Sequence, residues 1–177
     1  MIFSETKLKG VFVIGLERRE DSRGFFARTF CQQEFAERGL RTQFAQCSVS
    51  FNINKGTLRG MHFQAAPMHE TKLIRCTRGA IFDAIIDLRR ESPTYKGHLT
   101  IELSAENGKT LYVPEGFAHG FQTLEDGTEV FYQMTEFFAP ELARGVRWDD
   151  PAFAISWPQV DTRIILDRDR NYPLFQG

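Results

Sequence analysis

Apolar residues along this chain recur mostly at a period of two or in short runs, and one stretch alone carries a helical period. Residues 11–16, 43–51, 72–77, 80–88, 99–103, 110–113 and 129–137 read as strands. Within 80–88, Phe82, Ala84, Ile86 and Leu88 share one face, and Asp83 and Asp87 fall on the other. The helix expected is 32–38, stopped by Gly39. Turn clusters such as Asn54-Lys55-Gly56, Glu106-Asn107-Gly108 and Glu125-Asp126-Gly127 separate the strands. Many short strands with regular turns predict an all-β antiparallel jelly-roll barrel with one or two short helices. Such a fold leaves sheet edges that a second copy can pair, and the N-terminal strand is the natural candidate.

Composition narrows the class. Hydrophobic residues are 42 % and charged residues 25 %, the proportions of a folded soluble domain. A net charge of −1 gives no support to nucleic-acid or membrane-surface binding. No run reaches the ~18 apolar residues that span a bilayer, and the N-terminus lacks the apolar core of a signal peptide. A cytoplasmic protein is expected. Cys31, Cys47 and Cys76 are odd in number without Cys-x-x-Cys spacing, and read as reduced thiols. The 17 Phe, against 4 Tyr and 2 Trp, suit a wide barrel interior. No repeat, linker or low-complexity tract divides the chain, so 1–177 reads as one domain.

Two segments are more specific than scaffold. Gly108-Lys109-Thr110-Leu111-Tyr112-Val113-Pro114-Glu115-Gly116-Phe117-Ala118-His119 has the spacing of the second motif of the cupin superfamily, which it resembles. A plain β-turn before a core histidine has the same pattern. Gly56-Thr57-Leu58-Arg59-Gly60-Met61-His62-Phe63-Gln64 and Lys72 occupy the first-motif region. A metal-binding cupin offers His-x-His and a carboxylate there. Gln64 replaces one imidazole, and an ammonium at Lys72 repels a divalent cation, so no metal is expected.

The remaining set is His62, Lys72, His119, Tyr132 and several arginines. An imidazole base, a cation and a phenol suit proton abstraction next to a carbonyl: the cation stabilises the enolate and the phenol returns a proton. Regular alternation would put Arg59 and His62 on opposite faces, and a bulge at Gly60 would bring both inward.

The chain resembles the dTDP-4-dehydrorhamnose 3,5-epimerase family. The resemblance lies in Leu58-Arg59-Gly60-Met61-His62-Phe63-Gln64, Lys72-Leu73-Ile74-Arg75, Asp87-Leu88-Arg89 with Ser92-Pro93-Thr94, and Val113-Pro114-Glu115-Gly116-Phe117-Ala118-His119. It continues through Gly145-Val146-Arg147-Trp148-Asp149-Asp150-Pro151, Asp21-Ser22-Arg23-Gly24-Phe25-Phe26 and Asp169-Arg170-Asn171. It implies a cofactor-free homodimeric cupin acting on a nucleotide-linked 4-keto-6-deoxy sugar, dTDP-linked in preference. It further implies His62 as base, Asp169 as its carboxylate partner, Lys72 as the cation at the C4 oxygen and Tyr132 as the acid. Arg23, Arg28, Arg59, His119, Arg168, Gln46 and Ser48 become substrate contacts, and Phe138 a ring stacked on the base. Arginine forks and a ring suit a diphosphate and a pyrimidine.

Arg28 and Ala143 stand where the family carries glutamates, and Gln46-Cys47-Ser48 replaces a Gln-Asp-Asn segment. These departures leave the base and the sugar open. A C3-only epimerase, an epimerase of another nucleotide sugar and a non-catalytic sugar-nucleotide-binding cupin are the alternatives.

Overall fold

The computed structural model describes all 177 residues. In chain order, β1 (Ile2–Glu5) and β2 (Phe12–Gly15) precede a small hairpin, β3 (Arg19–Asp21) and β4 (Gly24–Phe26). The helix α1 (Gln32–Ala36) leads to β5 (Gln46–Asn52), β6 (Thr57–Gln64), β7 (Lys72–Arg78) and β8 (Ala80–Asp87). Then come β9 (His98–Ser104), β10 (Thr110–Val113), β11 (Phe117–Thr123) and β12 (Thr128–Met134). After a 3-10 turn at Pro140–Leu142 the chain adds β13 (Ala143–Gly145), β14 (Ile164–Ile165) and α2 (Asp167–Arg170).

Two sheets face each other. The first runs β1-β2-β10-β7-β12-β5 and the second β13-β6-β11-β8-β9, with β14 added to β6. Every pairing is antiparallel except β14 on β6. This is the jelly-roll barrel that the short strands and turns predict; its first sheet ends on β1, and the strand expected at 11–16 lies inside, between β1 and β10. No helix is long and apolar enough to cross a membrane, which says nothing of strands.

Three apolar clusters explain the layers. Ile74, Ile81, Ile85, Leu103, Leu111, Phe121 and Val130 come from both sheets and fill the space between them. Leu58, Met61, Ala84 and Ile86, on the outer face of the second sheet, are covered by Val146, Phe153 and Trp157 of the C-terminal segment. Ile14, Leu73 and Tyr112, on the outer face of the first, are covered by Phe35 of α1. Each side chain so buried contributes roughly 1.5–3 kcal/mol. Both sheets are therefore buried on two faces over much of their area.

That layering settles what the alternation of 80–88 leaves open. The apolar face of β8 (Phe82, Ala84, Ile86) looks outward under the C-terminal cover, and Asp83 lies on the barrel side with Ile81 and Ile85. Strand ends also move. The run expected to 137 stops at Met134, because the next residues leave the sheet toward the barrel mouth. The helix stops at Ala36, two residues early. Strands β1, β3, β4, β6, β11, β13 and β14 and the helix α2 fall outside the predicted ranges. They are short, charged or glycine-interrupted, and pairing with neighbours stabilises them more than local propensity does.

Candidate active site

Position 60 decides which side chains enter the barrel. Between the pairs His119–His62 and Phe121–Arg59 the register shifts, setting Gly60 and Met61 of β6 against Gly120 of β11. A Cβ at Gly60 would lie 2.5 Å from Gly120 Cα and 2.9 Å from the His119 carbonyl oxygen, with φ at +122°. Glycine alone tolerates that approach. The extra residue sends Leu58 and Met61 outward to the cover and turns Arg59 and His62 alike inward.

His62 Nε2 lies 2.8 Å from Asp169 Oδ1. Asp169 is delivered by α2, and its other oxygen accepts from the Gly60 N–H at 3.1 Å. Arg168 Nε adds a third donor at 3.3 Å. Burial works against the Asp169 charge, but the His62 hydrogen bond and attraction, with Gly60 and Arg168, hold its pKa below the ordinary value. An ionised Asp169 accepts from Nε2–H, so Nδ1 carries the lone pair of the neutral ring. His62 keeps 35 % of its side chain exposed while Asp169 keeps 2 %. The base candidate is reachable; its partner is not.

A second histidine–aspartate pair sits deeper. His119 Nε2 lies 2.7 Å from Asp83 Oδ2, both side chains buried, and Asp83 Oδ1 has no partner. Burial raises the Asp83 pKa against the pull of His119. Tyr132 stands edge-on to His119, ring centroids 5.9 Å apart. Burial and the Asp83 charge push its phenol well above the ordinary value, with Arg59 opposing. Lys72 shares the inner face of β7 with Ile74 and pairs with Glu70, a residue the sequence reading missed. Burial lowers the Lys72 pKa against the attraction of Glu70. Arg59 Nε donates to Asn52 Oδ1 at 2.8 Å.

The rim is built by the chain that leaves β12. Gln46 Oε1 accepts from the Phe138 N–H, and Gln64 binds the same segment through Phe137 O and the Ala139 N–H. Gln64, standing where a metal cupin carries histidine, is thus a bracket. No group of three His, Cys, Asp or Glu side chains is placed to hold a metal ion. Phe138, 63 % exposed, joins His62, Ala143, Arg168 and Tyr172 around a pocket of about 120 Å³. Ser48 shares its strand face with Gln46 and pairs in register with Tyr132.

Two expected contacts are not brought to this site by a single chain. Arg23, 87 % exposed on the β3–β4 hairpin, pairs with Asp21, and Arg28 pairs with Glu34 of α1. Neither lines the His62 pocket, and Arg28 lines a separate one with Met1, Glu17 and Phe26. Among the missed residues, Glu70 lies two before Lys72, in the segment that leads into β7. The alternation places Asp83 on the face opposite Phe82, Ala84 and Ile86, as the structure has it, but leaves open which face turns inward. Tyr172 carried no pattern at all.

A family model described as dTDP-4-dehydrorhamnose 3,5-epimerase matches residues 5–177. A dTDP-4-dehydrorhamnose 3,5-epimerase of Methanothermobacter thermautotrophicus is 44 % identical over 172 residues, covering 96 % of this chain and 92 % of that protein. The crystal structure of the Bacillus anthracis enzyme of that name, with TDP and PPi bound, superposes with a TM-score of 0.94 at 40 % identity, covering 98 % and 99 % of the two chains. A Legionella pneumophila dTDP-6-deoxy-D-glucose-3,5-epimerase in complex with dTDP-4-keto-L-rhamnose gives 0.92 at 31 %, covering 98 % and 92 %. With this site on a jelly-roll barrel and likeness over nearly its whole length, the chain belongs to the dTDP-4-dehydrorhamnose 3,5-epimerase family.

Proposed function

We propose that this chain inverts C3 and C5 of a dTDP-linked 4-keto-6-deoxy sugar, with His62 as base and Tyr132 as acid. The observation that carries the reading is their placement on facing walls. His62 projects inward from β6 of the second sheet, and Tyr132 from β12 of the first. A sugar ring held between them meets a base on one face and a phenol on the other.

The C4 ketone acidifies the protons on C3 and C5. His62 takes one, and the ionised Asp169 stabilises the imidazolium that forms. The Lys72 ammonium faces the C4 oxygen as it gains charge. Tyr132, kept protonated by its surroundings, then delivers a proton to the opposite face. Arg59, His119 and Arg168 hold the diphosphate and sugar, with Gln46 and Ser48 on the Tyr132 wall, and the exposed Phe138 ring stacks on the base. The chemistry needs no cofactor.

The same reading makes the chain one domain and a cytoplasmic homodimer. Supporting it are three unpaired cysteines and the apolar side chains of Phe25, Phe26, Val49 and Phe51, each at least half exposed, which a second copy would cover. Placing Arg23 and Arg28 at substrate then requires the partner. The test is incubation with several 4-keto sugar nucleotides in deuterium oxide, read by product NMR. Deuterium at C3 and C5 with both inverted is expected. Label at C3 alone makes it a monoepimerase, and none with dTDP-sugar bound makes it a binding protein.

A further inference from the structure

His62 is gripped at a second point. In the antiparallel pairing of β13 with β6, Gly145 stands directly opposite His62. A Cβ there would lie 2.4 Å from two ring carbons of Tyr172, so the phenol ring fills the space that a side chain at 145 would take. The same ring stands edge-on to the His62 imidazole, with centroids 6.0 Å apart and planes at 72°. Tyr172 follows Asp169 by three residues. One short stretch at the end of α2 therefore supplies both the carboxylate on Nε2 and the ring beside the imidazole.

The geometry points to Tyr172 as a positioning residue for His62, an assignment that rests on His62 being the base. Asp169 fixes one nitrogen but leaves the ring free to pivot about that bond. A rigid ring wedged against Gly145 closes the pivot on one side. Both Tyr172 and His62 line the pocket, so the wedge also shapes the wall against which the sugar sits. Misplacing a reacting group by about 1 Å costs on the order of 10²-fold in rate, which sets the scale of the effect. The ring carries this role, and the hydroxyl does not.

Three variants test it, each read by solvent deuterium uptake at the sugar, by dTDP affinity and by the ring proton NMR signals of His62. Tyr172→Ala is expected to slow uptake roughly 10- to 100-fold, to leave dTDP affinity within about 2-fold and to shift the His62 signals. Gly145→Ala, which displaces the ring without removing it, should do the same. Tyr172→Phe should restore wild-type rate and signals. Unmoved His62 signals in Tyr172→Ala, a rate loss matched by lost affinity, or a Tyr172→Phe as slow as Tyr172→Ala would each overturn the assignment. His62→Asn is run alongside. Uptake surviving that change overturns the base reading and this assignment with it; uptake lost there but intact in Tyr172→Ala overturns this assignment alone.

Discussion

The two histidine–aspartate pairs are built from the same chemistry and differ in their surroundings. Asp169 and Asp83 are almost equally removed from water, at 1 % and 0 % exposure, and each lies within 2.8 Å of a histidine Nε2. Their pKa values move in opposite directions, Asp169 down and Asp83 up. The difference lies in depth and in the donors: burial is the largest effect on both, and Asp83 is the more deeply buried. Asp169 also receives the Gly60 N–H and Arg168, whereas Asp83 receives His119 alone. A third buried carboxylate completes the series. Asp87 accepts from the Arg89 backbone and guanidinium, Ser92 and Thr94, and although burial opposes its charge it is lowered to about 2. Burial sets the cost of a charge, and the number of donors decides whether it is met. The rim pair is thus fitted to present an ionised carboxylate to its histidine. The deep pair is less so, and Asp83 adds to burial in raising the Tyr132 phenol.

The largest test of that contrast replaces each histidine. His62→Asn should lower deuterium uptake by ~10²–10⁴-fold with dTDP affinity retained, the range for a general base. His119→Asn should raise KM more than it lowers kcat. Similar loss of uptake in both, with affinity intact, would erase the distinction between the pairs.

Next in size is Asp169→Asn, which presents an amide to Nε2 and disturbs the tautomer. A fall in kcat of about 10²-fold with little change in KM is expected, smaller than for a fully enclosed triad because His62 is partly solvated. An unchanged kcat would remove Asp169 from the mechanism. Tyr132→Phe acts at the other wall. It should slow inversion about 10-fold more than proton abstraction, seen as deuterium wash-in with retained configuration. Equal slowing of both would make the phenol a positioning group.

The smallest effects are in stability. Asp169 is lowered, so its stabilisation is present above the unfolded value of 3.8 and is lost as pH falls below it. Asp83 is raised, so its contribution is complete below 3.8 and is lost as pH rises. Thermal melts at about pH 3 and pH 7 should show Asp169→Asn more damaging at the higher pH and Asp83→Asn more damaging at the lower. Asp87→Asn should cost about 1–3 kcal/mol at neutral pH, and less as pH falls from 3.8 toward 2. Parallel pH dependence for Asp83 and Asp169 would break the comparison outright.

Much of this protein was legible before any coordinates. Period-two runs and their turns implied paired strands, since alternation is a local consequence of the pleat. The bulge at Gly60 followed from needing Arg59 and His62 on one side, and the resemblance linked His62 with Asp169 across 107 residues. What stayed hidden depends on which layer covers which face. Phe82, Ala84 and Ile86 look like a core face, and the sequence does not reveal that a C-terminal segment covers them while Asp83 turns into the barrel. The partners Glu70 and Asn52, the wedge of Tyr172 on Gly145 and the separation of Arg23 and Arg28 from the site are likewise tertiary. Local sequence determines which side a residue takes on its own strand. Only packing of both sheets, with the cover on each, decides which side is inside.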